Sequence, residues 1–285
     1  MKDVFPNLDK VLKSALDEDI GTGDITSESV IPPGKNGLLV LVAKAKGVIC
    51  GLPVFARIHT LIDKDTAITL FKNDGDVVMP GDEIALIKGN LRSLLAAERV
   101  SLNFLQRLSG IASLTRKFVE KVRPYGLKIY DTRKTTPLLR QLEKYAVRCG
   151  GGHNHRFGLY DMILLKDNHI DACGGIEQAI IKAQSYRRKT KSRVKIAVEV
   201  RSLSDMVAVL PFEVDLVLLD NMTYKQIRNV LRIVDDHKKP EIEVSGGITL
   251  KTISRLAEIG VRRVSIGALT HSAPALDLSL DYRIL

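Results

Sequence analysis

The side chains in this sequence best suited to chemistry recur at one kind of place, immediately after a short apolar run. Asp131-Thr132-Arg133-Lys134 follows the run 127–130, Lys166-Asp167 follows 162–165, Glu199 follows 196–198, and Asp220 follows 216–219. Ser245-Gly246-Gly247 and Gly267-Ala268 follow 242–244 and 264–266. Arg133 offers a planar fork that can hold a carboxylate or phosphate at two points. Glu199 and Asp220 can hold Mg²⁺ through water or bind ribose hydroxyls; the plainer alternative is salt bridging to Lys166 or Lys134. Glycine at two successive run ends, the first leading into a helix predicted from Thr249, matches the phosphate cradle of late barrel strands.

A further segment, Gly150-Gly151-Gly152-His153-Asn154-His155-Arg156, brings two histidines and an arginine just before the run 162–165. His153 and His155 could be a metal pair completed by Lys166 and His169. Against that, three glycines stand where a barrel metal site would have a strand, and nearby arginines repel a cation. Lys166 could form a Schiff base if its pKa were depressed, but ion pairing to substrate asks less of it. His169 is read as orienting its own loop.

Side chains so placed need elements that bring the run ends together. Continuous apolar runs separated by helical stretches are the pattern of buried parallel strands in βα units, whose C-terminal ends face the substrate. Six runs are too few for a closed eight-stranded barrel, so the expected fold is an incomplete, open parallel α/β barrel of about six strands. Before it, residues 7–19 have helical apolar spacing, and 37–49, 67–71, 77–78 and 84–87 read as antiparallel strands divided by Asp74-Gly75-Asp76 and Pro80-Gly81-Asp82 turns. Helical spacing over 91–108 and 111–122 is interrupted by Ser109-Gly110. The expected organisation is an N-terminal α+β domain, 1–110, joined by the tail 270–285, and a catalytic barrel, 111–269.

The formal net charge of +10 points to acidic partners. The run Arg187-Arg188-Lys189-Thr190-Lys191-Ser192-Arg193 reads as a solvated face away from the mouth. Arg133, Lys134, Arg140, Lys144, Arg148, Arg156 and Lys166 gather near run ends. Seven Tyr, seven Phe and no Trp leave few platforms for base stacking, which favours small anions over nucleic acid. Three separated cysteines suggest neither a disulfide framework nor a zinc knuckle. Without a leader-like start or a long apolar stretch, the expectation is a cytoplasmic protein with no membrane partner.

Several motifs together resemble the quinolinate phosphoribosyltransferase family. They are Glu18-Asp19-Ile20-Gly21-Thr22-Gly23-Asp24-Ile25-Thr26, Glu98-Arg99 with Asn103, Leu108-Ser109-Gly110-Ile111-Ala112, Asp131-Thr132-Arg133-Lys134-Thr135, the 150–156 loop, 165–169, Leu219-Asp220-Asn221 and Ser245-Gly246-Gly247. The resemblance implies transfer of phosphoribose from phosphoribosyl diphosphate to quinolinate with decarboxylation, giving nicotinate mononucleotide, diphosphate and CO₂. It implies that Arg133, His155 and Arg156 hold the quinolinate carboxylates with Thr132 beside them. The same resemblance implies that Arg99 reaches in from a neighbouring subunit of a homodimer or higher homo-oligomer. Lys134 and Lys166 serve the phosphates and substrate, Glu199 and Asp220 the ribose and Mg²⁺, and Ser245, Gly246, Gly247, Gly267 and Ala268 the 5′-phosphate. A relative associated with molybdenum-transport genes is the alternative; Thr132-Arg133-Lys134 and Asn154-His155-Arg156 favour quinolinate.

Overall fold

The computed structural model describes residues 7–234 and 240–284. They form two compact units: residues up to 116 with 135–151 and 269–284, and residues 117–134 with 152–268.

In the first unit, strands β1 (Asn36–Ala43), β2 (Gly47–Val48), β3 (Ala67–Leu70), β4 (Val77–Val78) and β5 (Glu83–Asn90) fall where the apolar runs and turn residues place them. Leu39 and Leu41 of β1 are buried with Ile84 and Ile87 of β5 and with Phe55 from the helix Leu52–Ile62. The helix Leu8–Ile20 buries Leu8, Leu12 and Leu16, one every fourth residue. The last strand of the chain, Leu278–Arg283, pairs antiparallel with β1, giving a sheet ordered 278–283, β1, β5, β3. The tail therefore returns to the N-terminal sheet.

One expectation fails here. Residues 91–122 form a single 32-residue helix, Leu91–Val122, with no break at Ser109-Gly110. Gly110 is required by packing: a Cβ there would lie 2.0 Å from the Pro274 carbonyl oxygen. Glycine costs a helix about 1 kcal/mol, too little to end one held by tertiary contacts. Pro124 does end it, in a short 3₁₀ turn, Arg123–Tyr125.

The second unit holds the parallel strands β6 (Lys128–Tyr130), β7 (Met162–Leu165), β8 (Lys195–Val200), β9 (Leu216–Asp220), β10 (Glu241–Ser245) and β11 (Arg263–Ser265); the tail strand is thus β12. Their order is β6-β11-β10-β9-β8-β7. Each of β7 to β10 lies beside its successor, and β11 beside β6, so the sheet curls through a cycle that stays open between β6 and β7. The glycine-rich loop spans that seam. His153 N donates to Ile129 O at 2.8 Å and Asp131 N to His153 O at 3.1 Å, while Arg156 Nη1 donates to Met162 O at 3.1 Å. One end of the loop is thereby bonded to β6 and the other to β7. The basic run 187–193 lies at the N-terminal end of β8, opposite the strand ends that carry the chemistry, and Arg187 there pairs with Asp215 at 3.0 Å.

Candidate active site

The C-terminal ends of β6 to β11 and the seam loop bring thirteen of the fourteen expected site residues into the second unit. Arg99 lies in the other unit, exposed on the long helix.

Asp131, fully buried, holds the seam loop from below: Asn154 Nδ2 donates to its Oδ2 at 2.5 Å and His155 N to its Oδ1 at 2.8 Å. Thr132 turns its hydroxyl back to accept the Lys134 N–H at 3.0 Å, which stiffens the turn between Arg133 and exposed Lys134. Arg156 is 8% exposed, and its Nε is buried with no hydrogen-bond partner among the described residues. Burial, and then the neighbouring Arg133 guanidinium, pull Arg156 below its ordinary pKa. Two guanidiniums close enough to repel, one with an unspent donor, make a site that gains from a dianion.

The His155 ring is committed inward. Its Nδ1 accepts from Arg156 N at 2.7 Å, and its Nε2 faces Oε1 of fully buried Glu243 at 3.5 Å. Glu243 is bound on its other oxygen by Arg263, whose guanidinium lies 3.7 Å from the centre of the Tyr130 ring. His153 stacks on Tyr130 at 5.2 Å between centroids; burial and the cations Lys128 and Arg263 lower its pKa. The two histidines thus point to different partners and do not converge as a metal pair. His169 orients its loop, as expected: its Nδ1 accepts from Lys166 N at 3.1 Å.

Lys166 Nζ lies 3.5 Å from Glu199 Oε2. Burial pushes the Glu199 carboxyl up, Lys166 opposes it, and Asp220 and Asp167 push it further up. Among the described residues Asp220 forms no lysine bridge; its Oδ1 accepts from Ser245 Oγ and its Oδ2 from Asn221 Nδ2, both at 2.9 Å. Each Asp220 oxygen keeps a lone pair, and the mutual repulsion of these carboxylates is relieved by a cation, so the pair fits Mg²⁺ held through water.

Gly246 and Gly247 are exposed with φ of 91° and 59°. A Cβ on Gly246 would meet Asn221 Oδ1 at 2.1 Å, and Asn221, itself at φ 51°, donates its N–H to Ser245 O at 3.1 Å. The helix expected from Thr249 begins only at Ile253. Thr249 and Thr252 exchange backbone-to-hydroxyl bonds at 2.9 and 3.3 Å, the reciprocal pattern of a capping box, and Ile253 N donates to Thr249 O at 3.0 Å. Ahead of that capped start stands the left-handed turn at Gly246-Gly247, whose backbone amides are free to form a nest for an anion. Gly267 and Ala268 stand where β11 meets the short helix Ala268–His271.

The model of the quinolinate phosphoribosyl transferase C-terminal domain matches residues 111–281, and that of the N-terminal domain matches 24–109. The chain belongs to this family of phosphoribosyltransferases. A Bacillus subtilis protein named probable nicotinate-nucleotide pyrophosphorylase (carboxylating) is 43% identical over 275 residues, 96% of this chain and 93% of that protein. The structure of NadC from Streptococcus pyogenes is 43% identical with a TM-score of 0.91, covering 98% of each chain. The nicotinate-nucleotide pyrophosphorylase structure from Francisella tularensis is 37% identical with a TM-score of 0.92, covering 99% of this chain and 97% of that one.

In this quinolinate phosphoribosyltransferase chain, sequence reasoning missed Glu243 and Arg263 and saw Asp131 only as a strand exit. The signal for Glu243 was available: Glu241, Glu243 and Ser245 alternate with Ile242 and Val244, which in a strand puts polar side chains on one face. Treating 242–244 as a plain apolar run hid a polar barrel interior.

Proposed function

We infer that the protein transfers phosphoribose from phosphoribosyl diphosphate to the ring nitrogen of quinolinate and releases CO₂, yielding nicotinate mononucleotide and diphosphate for NAD biosynthesis. The observation that carries this reading is the pair Arg133 and Arg156, two adjacent guanidiniums at one barrel mouth, in a chain matched by both domains of the family. Quinolinate has two adjacent carboxylates, and the paired forks give it a reason to bind that a monocarboxylate lacks.

Arg133 and Arg156 grip the carboxylates, with Thr132 shaping the turn and His155 bracing Arg156 from behind. The glycine nest at Ser245-Gly246-Gly247, with Gly267 and Ala268, takes the 5′-phosphate; Glu199 and Asp220 face the ribose. Glu199 and Asp220 would hold Mg²⁺ through water, and the ion would supply charge neutralisation to the diphosphate. As the C1′–O bond to diphosphate breaks, positive charge grows on the anomeric carbon, and the Glu199 carboxylate stabilises it electrostatically. Lys134 and Lys166 balance the phosphates and substrate, and Lys166 also opposes the rise in the Glu199 pKa. Once the ring nitrogen is alkylated, the adjacent carboxylate leaves as CO₂, its bonding pair stays on the ring carbon as a carbanion stabilised by the positive nitrogen, and that carbon takes a proton from water.

Arg99 completes the clamp from a second copy, which makes the active species at least a homodimer. Highly charged metabolites as substrates support a cytoplasmic location, and no helix among the described residues is long and apolar enough to cross a membrane. The test is an assay with quinolinate, phosphoribosyl diphosphate and Mg²⁺ that follows nicotinate mononucleotide and CO₂, with nicotinate as the alternative acceptor. Turnover of quinolinate alone supports the clamp; turnover of nicotinate would mean that the second carboxylate is not read.

A further inference from the structure

Outside the catalytic machinery, the first unit places two thiols and a carboxylate together: the donor atoms of Cys50, Asp74 and Cys149 all lie within 4.8 Å of one another. The two cysteines are 99 positions apart in sequence, and both are held by their backbones. Ser109 Oγ receives Cys50 N at 2.9 Å and donates to Cys50 O at 3.2 Å. Arg116 Nη2 donates to Cys149 O at 3.4 Å. The segments between are tied as well, Gly75 N to Ile49 O at 2.8 Å and Ile49 N to Asp76 O at 2.9 Å. The meeting of the sulfurs is therefore built into the fold.

The environments of the thiols differ. Cys50 is fully buried, and burial pushes its pKa up; it stays a thiol and hydrogen-bonds Cys149. Cys149 is half-buried, and that hydrogen bond from Cys50 holds its pKa down against its own burial. The less buried member of the pair is thus the better thiolate and the fully buried member stands behind it, the usual order of an attacked and a resolving cysteine. The third donor is already satisfied: Asp74 Oδ1 accepts Gly51 N and Leu52 N, each at 3.0 Å, and Oδ2 accepts the Tyr145 hydroxyl at 2.7 Å. A bound divalent metal would have to compete for that carboxylate and hold both thiols deprotonated in a buried place. A disulfide is neutral and adds no charge to the core.

We propose that Cys149 and Cys50 form a reversible oxidation site that a peroxide converts to a disulfide. The Cys149 thiolate attacks the peroxide, an S–O bond forms as the O–O bond breaks, and the oxygen leaving group departs protonated as water or an alcohol. Cys50 then attacks the sulfenic sulfur, giving up its proton, and the sulfenic oxygen leaves as water. Two thiols lose two electrons to the peroxide, and a dithiol reductant reverses the change.

The test treats the full-length protein with stoichiometric hydrogen peroxide, counts free thiols, and maps the products by peptide mass spectrometry before and after dithiothreitol. The expected result is loss of two of the three thiols, a Cys50–Cys149 crosslink within one chain, a protein mass lower by two hydrogens, and full reversal. Cys149→Ala should leave Cys50 unreacted, and Cys50→Ala, treated with peroxide in excess, should leave Cys149 to proceed through sulfenic to sulfinic acid that dithiothreitol does not restore. Equal thermal midpoints of the reduced variants and the parent show that they fold. Sulfinic Cys149 beside intact Cys50 in the parent, a crosslink through Cys173, or protection of both thiols by added Zn²⁺ with stoichiometric retention of the metal would each overturn the proposal.

Discussion

Arg156 shows how much of this site rests on single charged groups. It sits in the seam loop beside Arg133, buried, with one donor unspent and its backbone N–H fixed to His155. Arg156→Lys keeps the charge and loses the fork, so KM for quinolinate should rise about 10- to 100-fold, the equivalent of one charge-assisted bond, with little change in KM for phosphoribosyl diphosphate. Steady-state kinetics in both substrates check this; an unchanged quinolinate KM would remove Arg156 from the clamp. Asp220→Ala deletes the acceptor that holds Ser245 and Asn221 at 2.9 Å. Its kcat should drop by at least about 100-fold, and normal turnover would sink the role given to that carboxylate.

At the scale of elements, two glycines act for opposite reasons. Gly246 is a conformational and steric requirement of the phosphate turn, since its φ is 91° and a Cβ would strike Asn221. Gly246→Ala should raise KM for phosphoribosyl diphosphate and leave quinolinate affinity nearly intact, which isothermal titration with each ligand would separate. Gly110 lies in a helix and owes its identity to the Pro274 carbonyl. Gly110→Ala improves helix propensity yet should lower stability by about 1–3 kcal/mol through overpacking; urea unfolding reads the sign. A stabilised variant would mean that the tail does not press on the helix at that point.

Two predictions concern the whole molecule. His59 is buried with no hydrogen-bond partner on either ring nitrogen among the described residues, and burial lowers its pKa from 6.5 to about 4. The fold binds the neutral ring, so this contribution is complete above pH 6.5 and is lost as pH falls toward 4, where the unfolded chain takes the proton first. The loss is at most about 3 kcal/mol. Urea midpoints at pH 7 and 4.5 should converge in His59→Leu relative to the parent. The proposed sharing of the site between two copies is testable by mixing: Arg99→Ala and Arg133→Ala are each expected to be inactive, and their refolded mixture should regain about a quarter of parental activity, because mixed dimers would carry one intact site of two. No recovery would place Arg99 outside the neighbouring site.

How far the sequence reaches follows from what kind of information each feature needs. The six barrel strands, their run-end residues and the antiparallel N-terminal strands were legible because burial on both faces or one face writes itself as a local apolar pattern. The open seam between β6 and β7 was legible only as a shortage of strands; that the loop 152–158 spans it required the tertiary bonds to Ile129 and Met162. Gly110 reads as a break in any local scheme, and only the carbonyl packed against it shows otherwise. The inward commitment of His155 to Glu243 and the meeting of Cys50 with Cys149 lie beyond local pattern altogether. The chain itself determined which chemical groups stand at strand ends, because strand length and side-chain alternation are local. The tertiary structure decided which of those groups face one another, because distance in space between residues far apart in sequence is fixed only when the strands are paired and the loops close over them.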